Sequence, residues 1–240
     1  MKAKSDIKTI CVHEGELKDR RYKGVVSPLY LSSAYAFDGV DEKRYPRYFN
    51  TPNQEALAQK LAALEGGESA LIFGSGMAAI STALLSQLKQ GDHVVFQNDI
   101  YGGTRNFIKR EFPRLGIEYS FTEGLTVENF ASLIHSHTKG LYLESPSNPL
   151  LKLVDLESVA QMAQNHGVWT MIDNTFASPV NQNPLASGID IVLHSATKYL
   201  GGHSDISAGV VVSSTAVMQS VINSARNYGG NLSEMMVWLL

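Results

Sequence analysis

The sequence alternates short apolar runs with segments in which apolar residues recur every three or four positions. The apolar runs predict seven strands, at positions 70–73, 93–96, 117–121, 140–144, 169–173, 189–193 and 209–212. The periodic segments predict helices at positions 53–65, 77–88, 102–115, 127–136 and 156–166. Strands that alternate with helices in this way predict an α/β domain with a mostly parallel seven-stranded sheet between helices.

The two ends of the chain depart from this pattern. Positions 1–52 contain turn formers and aromatic residues without sustained periodicity, which predicts an extended N-terminal arm before a main domain at 53–240. Near the other end, Ser233 has the character of a helix cap, and most positions after it are apolar up to Leu240. We expect another surface or a following domain to cover this apolar segment.

Composition narrows the class of partner. The chain has 240 residues, 44% of them hydrophobic, and its net charge of -3 offers no basic surface for nucleic acid. No apolar run is long enough for a signal peptide or a membrane span, so we expect a cytoplasmic protein that acts on a small molecule. The single cysteine, Cys11, cannot form an internal disulfide. His135 and His137 lack a second pair of ligands at suitable spacing, so no metal site is expected.

Polar residues gather where the predicted strands end, which is where α/β sheets bind their ligands. The first such segment, at 73–79, is a glycine-rich turn that opens a helix, and its free N–H groups favour a phosphate. The same segment fits the G-x-G-x-x-A turn of nicotinamide-binding domains. That alternative needs an acid for the ribose at the end of the next strand, and it depends on Asp99.

Three further strand ends supply an aromatic ring, an acid and an amine. Tyr101 can lie flat against a heteroaromatic ligand. Asp173 ends a strongly apolar strand, where a carboxylate is costly without a cationic partner such as a protonated pyridine nitrogen. Lys198 lies in a stretch without charged residues between Asp190 and Asp205, which predicts a desolvated, nucleophilic amine. With the glycine-rich turn, these residues predict a site for pyridoxal 5'-phosphate.

Several motifs extend this set. They are Ser-Gly-Met at 75–77, Tyr-Gly-Gly-Thr at 101–104, Glu-Ser-Pro-Ser-Asn-Pro at 144–149, Asp-Asn-Thr at 173–175 and Ser-Ala-Thr-Lys-Tyr-Leu-Gly-Gly-His-Ser-Asp at 195–205. In this order the chain resembles the pyridoxal-phosphate-dependent enzymes of Cys/Met metabolism from about residue 10 to its end. That family includes cystathionine γ-synthase, cystathionine β- and γ-lyases, methionine γ-lyase and the O-acylhomoserine sulfhydrylases. The resemblance implies the aspartate aminotransferase-like fold type I.

The resemblance also implies a role for each matching residue. Lys198 would be the Schiff-base lysine, Asp173 the partner of the ring nitrogen and Tyr101 the stacking ring. The other implied cofactor contacts are Gly76, Met77, Ser195 and Thr197 at the phosphate, Asn148 near the 3-hydroxyl and the substrate carboxylate, and Thr175. Tyr45 and Arg47 would reach the phosphate of a neighbouring subunit, so a dimer would be the smallest active unit and a dimer of dimers the usual assembly.

The activity that the resemblance implies is that of a carbon–sulfur lyase of the cystathionine β-/γ-lyase type, with Lys198 and Tyr101 as the catalytic groups beside Asp173. Cystathionine γ-synthase or O-acylhomoserine sulfhydrylase chemistry is the near alternative. Gly103 stands where methionine γ-lyases commonly carry a cysteine, which argues against that activity. The family's C-terminal domain, which carries an arginine for the substrate carboxylate, is expected to be absent from these residues. A cofactor-binding domain without turnover is therefore the alternative from another class.

Overall fold

The computed structural model describes residues 6–240 and contains a seven-stranded sheet between helices. Its strands are β1 (Ser69–Phe73), β2 (His93–Phe96), β3 (Glu118–Phe121), β4 (Thr138–Glu144), β5 (Trp169–Asp173), β6 (Ile191–His194) and β7 (Gly209–Ser213). Its α-helices are α1 (Ile7–His13), α2 (Pro52–Glu65), α3 (Gly76–Gln87), α4 (Gly102–Leu115), α5 (Val127–Ala131), α6 (Leu156–Asn165), α7 (Ser178–Asn181), α8 (Thr215–Tyr228) and α9 (Glu234–Leu239).

The order of the strands across the sheet decides which loops meet. It is β1-β7-β6-β5-β4-β2-β3, and β7 alone runs opposite to the other six strands. The predicted mostly parallel sheet is therefore confirmed. Because β4, β5 and β6 are parallel neighbours, their carboxyl ends lie side by side at one edge, where α/β sheets bind ligands.

Both faces of the sheet are buried, which explains the continuous apolar runs of its strands. Successive residues of a strand point to opposite faces. In β5, Met171 joins the core under α3, α4 and α8, whereas Ile172 joins the core under α2 and α6. Asp173, the next residue, returns to the side of Met171 at the end of the strand. The alternation thus aims the carboxylate toward the side of the sheet that α3 covers.

The structure corrects several predicted boundaries. The helix predicted at 127–136 ends at Ala131, because the chain then turns toward β4 and the hydroxyl of Thr138 accepts a hydrogen bond from the His135 N–H at 2.9 Å. The predicted arm contains the helix α1 and a short 3-10 helix at Pro46–Tyr48. Helix α8 was not predicted, although Met218, Val221 and Ala225 are buried at helical spacing after a cap at Ser214.

The imidazole of His93 is buried at the start of β2, far from the carboxyl ends of the strands. Its Nδ1 lies 2.9 Å from Thr138 Oγ1, its Nε2 lies 3.0 Å from Ser120 Oγ, and its ring centroid is 4.1 Å from that of His135. Burial and the nearby rings of His135 and His137 lower the pKa of His93 to about 4, and Glu118 opposes them only weakly. The folded protein therefore resists protonation at this site.

We expect His93 to contribute to acid unfolding. The unfolded chain takes up a proton near the ordinary histidine pKa of 6.5, whereas the folded chain takes it up only near 4, so stability falls as the pH drops through this window. His93→Gln is expected to recover on the order of 2 kcal/mol of that loss. Urea unfolding at neutral pH and at about pH 4.5 measures it, with exposed His166→Gln as the control. If the free energy of unfolding fell by the same amount between the two pH values in wild type and in His93→Gln, the assignment would be contradicted.

Candidate active site

A cavity of about 810 Å³ lies at the carboxyl ends of β4, β5 and β6. Pockets of this size suit a cofactor-sized ligand. All the predicted cofactor residues except Tyr45 and Arg47 line it; they are Gly76, Met77, Tyr101, Asn148, Asp173, Thr175, Ser195, Thr197 and Lys198. Residues that line it without having been predicted are Ser75, Ile80, Glu144, Phe176, Tyr199, Gly202 and Ser204. The motifs from distant parts of the sequence therefore share one site.

The amino end of α3 forms one wall of the cavity. Ser75 caps this helix, and its Oγ accepts the Ala78 N–H at 3.1 Å. The N–H groups of Gly76 and Met77 lie in the first turn, where no helical carbonyl can accept them. A Cβ at position 76 would lie 2.8 Å from Ser195 Cβ, so only glycine lets the helix end approach the loop after β6 this closely. The result is a narrow cradle of N–H groups and hydroxyls suited to a phosphate.

Asp173 is buried at the end of β5 with one of its two oxygens already bonded. Its Oδ1 accepts hydrogen bonds from the Thr175 N–H at 3.0 Å and the Thr175 hydroxyl at 2.5 Å. The same hydroxyl oxygen accepts the Ser195 N–H at 2.8 Å, which joins β5 to the loop after β6. Burial raises the pKa of Asp173, while Thr175 and His194 oppose the rise. The other oxygen, Oδ2, has no hydrogen-bond partner among the described residues, which suits a cationic ligand.

Lys198 lies in the connection between β6 and β7, which is held close to the sheet near both of its ends. The Thr197 N–H donates to the Ala208 carbonyl at 3.2 Å, and the Ala208 N–H donates to Thr197 Oγ1 at 3.0 Å. Lys198 itself is exposed, contrary to the desolvated amine predicted from its charge-free neighbourhood. The absence of neighbouring charges in the sequence did not indicate burial here, because the loop that carries Lys198 lies at the surface. The amine nevertheless belongs to the cavity wall and has no acidic partner among the described residues.

Another part of the cavity wall holds Tyr101 and Asn148 around the carboxyl group of Glu144, for which the sequence motifs predicted no role. Glu144 ends β4, and its two oxygens accept the N–H groups of Tyr101 and Asn148, each at 2.7 Å. Tyr101 occupies the N-cap position of α4, and its ring occupies the space that a Cβ at Gly103 would enter, 2.4 Å from Tyr101 Cε1. The available signal for Glu144 was its place at the end of an apolar strand, the same signal that singled out Asp173.

The predicted residues of the arm lie elsewhere. The guanidinium of Arg47 donates to the Arg226 carbonyl at 2.5 Å and packs over the rings of Tyr45 and Tyr48, at 5.8 and 5.4 Å. Tyr45 and Arg47 are exposed and do not line this chain's own cavity. A contact with the phosphate of a neighbouring subunit would require both residues to lie outside their own cavity, as they do here. The predicted contact stays a prediction.

The comparison with known families decides between the pyridoxal phosphate and nicotinamide alternatives. A sequence model of the Cys/Met metabolism PLP-dependent enzymes matches residues 8–240. The chain belongs to this family. The nicotinamide alternative is therefore wrong, and Asp99, on which it depended, instead pairs with Lys152 Nζ at 2.5 Å and does not line the cavity. The predictions of family and of pyridoxal 5'-phosphate as cofactor are confirmed.

Individual members of the PLP-dependent Cys/Met family resemble the chain closely. It is 40% identical over 224 residues to a "Probable cystathionine gamma-synthase" of Herpetosiphon aurantiacus, covering 92% of the chain and 70% of that protein. It is 38% identical over 239 residues to the cystathionine β-lyase of Lactococcus lactis subsp. cremoris, covering 98% and 63%. The crystal structure of cystathionine γ-lyase from Lactobacillus plantarum complexed with L-serine matches with a TM-score of 0.93 at 36% identity, covering 98% and 62%. The chain thus spans 62 to 70% of the length of these proteins.

The cavity fits the family's cofactor. The cradle at Gly76 suits the phosphate, the unpartnered oxygen of Asp173 suits the ring nitrogen, and the Tyr101 ring can cover the ring face. The fold type I prediction is confirmed by the solved relative. Among residues 6–240 there is no cluster of acidic, histidine and cysteine side chains arranged to hold a metal ion. In the same residues no helix combines the length and the apolar character needed to cross a membrane.

Proposed function

We propose that the complete protein is a carbon–sulfur lyase of the cystathionine β-/γ-lyase type. The observation that carries the proposal is the convergence of Lys198, Asp173 and the amino end of α3 on one cavity in a chain of this family. An amine, a buried carboxyl and a phosphate cradle around one space are the groups that pyridoxal phosphate chemistry requires. The named lyases among the relatives support the choice of activity.

Each residue of the cavity has a task in this proposal. Gly76, Met77 and Ser195 would bind the phosphate, and Asp173 would keep the ring nitrogen protonated through the oxygen that Thr175 leaves free. When bound, the cofactor supplies an electron-poor ring that accepts negative charge from the α-carbon of an amino acid. The geometry would thus hold the reacting carbon near the loop that carries the amine.

Lys198 would move the protons. Its amine lines the cavity and has no acidic partner among the described residues. In its neutral form it would take the proton from the substrate Cα and deliver it to a neighbouring atom. Tyr101 lines the same cavity, and its hydroxyl would assist that transfer. Cleavage at Cβ or at Cγ then depends on where the sulfur of the substrate lies relative to these two groups.

Replacement chemistry, as in a cystathionine γ-synthase, is the second candidate, and the 40% identity to a relative of that name favours it. The two candidates need the same Cα proton transfer and differ in whether an incoming thiol or water ends the reaction. The cavity walls described above serve both.

We further propose that the protein is cytoplasmic and works as a dimer or a dimer of dimers. In that assembly Tyr45 and Arg47 would bind the phosphate of a neighbouring copy. Their exposure outside their own cavity supports this, as do large exposed apolar side chains earlier in the arm, among them Tyr22, Val25 and Leu31. Removal of such apolar surface from water is a usual driving force for association.

Product analysis of the complete protein loaded with cofactor tests the activity. With cystathionine, β-elimination yields homocysteine, pyruvate and ammonia, and γ-elimination yields cysteine, 2-oxobutanoate and ammonia. With an O-acylhomoserine and cysteine, γ-replacement yields cystathionine and the released carboxylic acid, without ammonia. We expect an oxo acid and ammonia from cystathionine. Cystathionine formation alone would favour the synthase, and bound cofactor with no product from either substrate would favour a binding domain without turnover.

A further inference from the structure

Glu144 connects three parts of the cavity that the chain brings together from separate elements. Its Oε2 accepts the N–H of Tyr101 at 2.7 Å, and its Oε1 accepts the N–H of Asn148 at 2.7 Å. The side chain itself lines the cavity and is 3% exposed. One carboxyl group therefore fixes both the segment that carries the aromatic ring and the segment after β4.

The backbone of Glu144 is also fixed by hydrogen bonds. Gln97, fully buried directly after β2, donates its amide Nε2–H to the Glu144 carbonyl at 2.9 Å, and its Oε1 accepts the Glu144 N–H at 3.1 Å. Its Nε2 also donates to the Asp99 carbonyl at 3.0 Å, in the turn that leads to Tyr101. Paired side-chain and backbone hydrogen bonds of this kind leave the carboxyl few alternative positions. Hydrogen bonds thus fix both the side chain and the backbone of Glu144 within the site.

A second carboxyl lies next to it. Glu144 and Asp173 are register partners at the ends of the parallel strands β4 and β5. Burial and the charge of Asp173 raise the pKa of Glu144 to about 8, against the two backbone N–H groups that lower it. Two neighbouring buried carboxylates repel each other unless a cation comes between or beside them.

We propose that Glu144 is a positioning residue for the cofactor, whose carboxyl group holds Tyr101 and Asn148 in the cavity wall and, when ionised, joins Asp173 in favouring a cationic ring. The inference rests on the pyridoxal phosphate site of the proposed function. Glu144 would not act on the substrate. It would keep the stacking ring in place and add negative charge where the protonated ring nitrogen binds.

Other charged and titratable groups around the cavity affect Glu144 less than Asp173 does. Strand β4 also carries the buried phenol of Tyr142, whose pKa burial and the two carboxyls raise above its ordinary value. The connection after β6 carries Lys198, which lines the same cavity, and His194, which lies nearer to Asp173 and binds Glu65. The nearby Asp99–Lys152 pair is internally neutral. Thus Asp173 remains the charge that most affects Glu144.

Titration of the cofactor-free complete protein with pyridoxal 5'-phosphate tests the proposal. Glu144→Gln keeps the shape but can accept only one of the two N–H groups and loses the charge, so binding above pH 8 should weaken about tenfold to a hundredfold. As the pH falls below 8, wild-type Glu144 takes up a proton and loses its advantage. The ratio of the two dissociation constants should then shrink by up to about tenfold per pH unit.

Two further variants separate this role from a general loss of structure. Glu234→Gln changes a buried carboxyl on α9, outside the cavity, and should leave cofactor binding and its pH dependence unchanged. Glu144→Asp keeps the charge but shortens the side chain, so its affinity should fall while its pH dependence remains. It also supplies the measurement if Glu144→Gln fails to fold.

Binding is measured here without turnover, so failure of this inference differs from failure of the proposed lyase activity. Equal affinities of wild type and Glu144→Gln, or a ratio that stays constant from about pH 6 to about pH 9, would overturn the role of Glu144 alone. A wild-type protein that binds no pyridoxal phosphate would overturn both proposals.

Discussion

Replacing Lys198 by arginine is expected to lower cystathionine turnover by the complete protein at least about a thousandfold, because the variant loses the amine that we propose takes the Cα proton. Arginine keeps the positive charge but remains protonated at any working pH, so it cannot serve as the base. Turnover measured by oxo acid release gives the size of the loss. Circular dichroism and thermal unfolding should match the wild type, since Lys198 is exposed and makes no ion pair within the described residues.

Borohydride reduction followed by peptide mass spectrometry supplies a second readout. The wild type should carry a pyridoxyl group on the peptide that contains Lys198, and Lys198→Arg should carry none there. Lys139→Arg, an exposed lysine of β4 outside the cavity, is the matched control and should keep both label and turnover. A Lys198→Arg protein within tenfold of wild-type turnover would show that another group is the base.

Replacing Asp173 by asparagine is expected to lower turnover and cofactor affinity without lowering the free energy of unfolding of the cofactor-free protein. The neutral amide cannot hold a proton on the ring nitrogen, so turnover should fall at least about a hundredfold and cofactor affinity should fall with it. The cofactor-free protein should lose no stability, because burial already raises the pKa of Asp173 and makes its charge costly. Turnover, cofactor titration and urea unfolding of the cofactor-free protein measure the three effects.

Asp155→Asn is the control for this substitution. Asp155 caps α6 through a 3.1 Å hydrogen bond from the Ser158 N–H, and asparagine caps helices about as well as aspartate. All three measurements should therefore remain near the wild-type values. A clear loss of stability in cofactor-free Asp173→Asn would show that the carboxylate stabilises the fold itself, contrary to this prediction.

The strand ends explain why much of the site could be predicted from the sequence. Tyr101, Asp173 and Lys198 each follow an apolar run, and parallel strands bring such positions to one edge whatever the details of packing. Glu144 gives the same signal, but its importance depends on two backbone N–H groups that only the folded chain places within reach. The exposure of Lys198 likewise depends on the path of its loop, which local sequence does not determine.

The fold, too, was predictable from the sequence only in part. The alternation of strands and helices predicted the layers, whereas the antiparallel direction of β7 could not be read from its apolar pattern, which is equally apolar in either direction. Helix α8 was not predicted, although the spacing of Met218, Val221 and Ala225 carries the signal of an amphipathic helix. The end of α5 at Ala131 reflects a tertiary demand, the turn that leads into β4.

The reversed strand has a consequence for how such a site can diversify. Since β7 returns beside β6, the segment that carries Lys198 is a long hairpin loop and needs no crossover helix. The contacts between Thr197 and Ala208 close the base of that loop, while its outer part lines the cavity at Gly202 and Ser204. Insertions or substitutions in the outer part can therefore reshape substrate access in evolution or in the laboratory, while the sheet and the phosphate cradle keep their places.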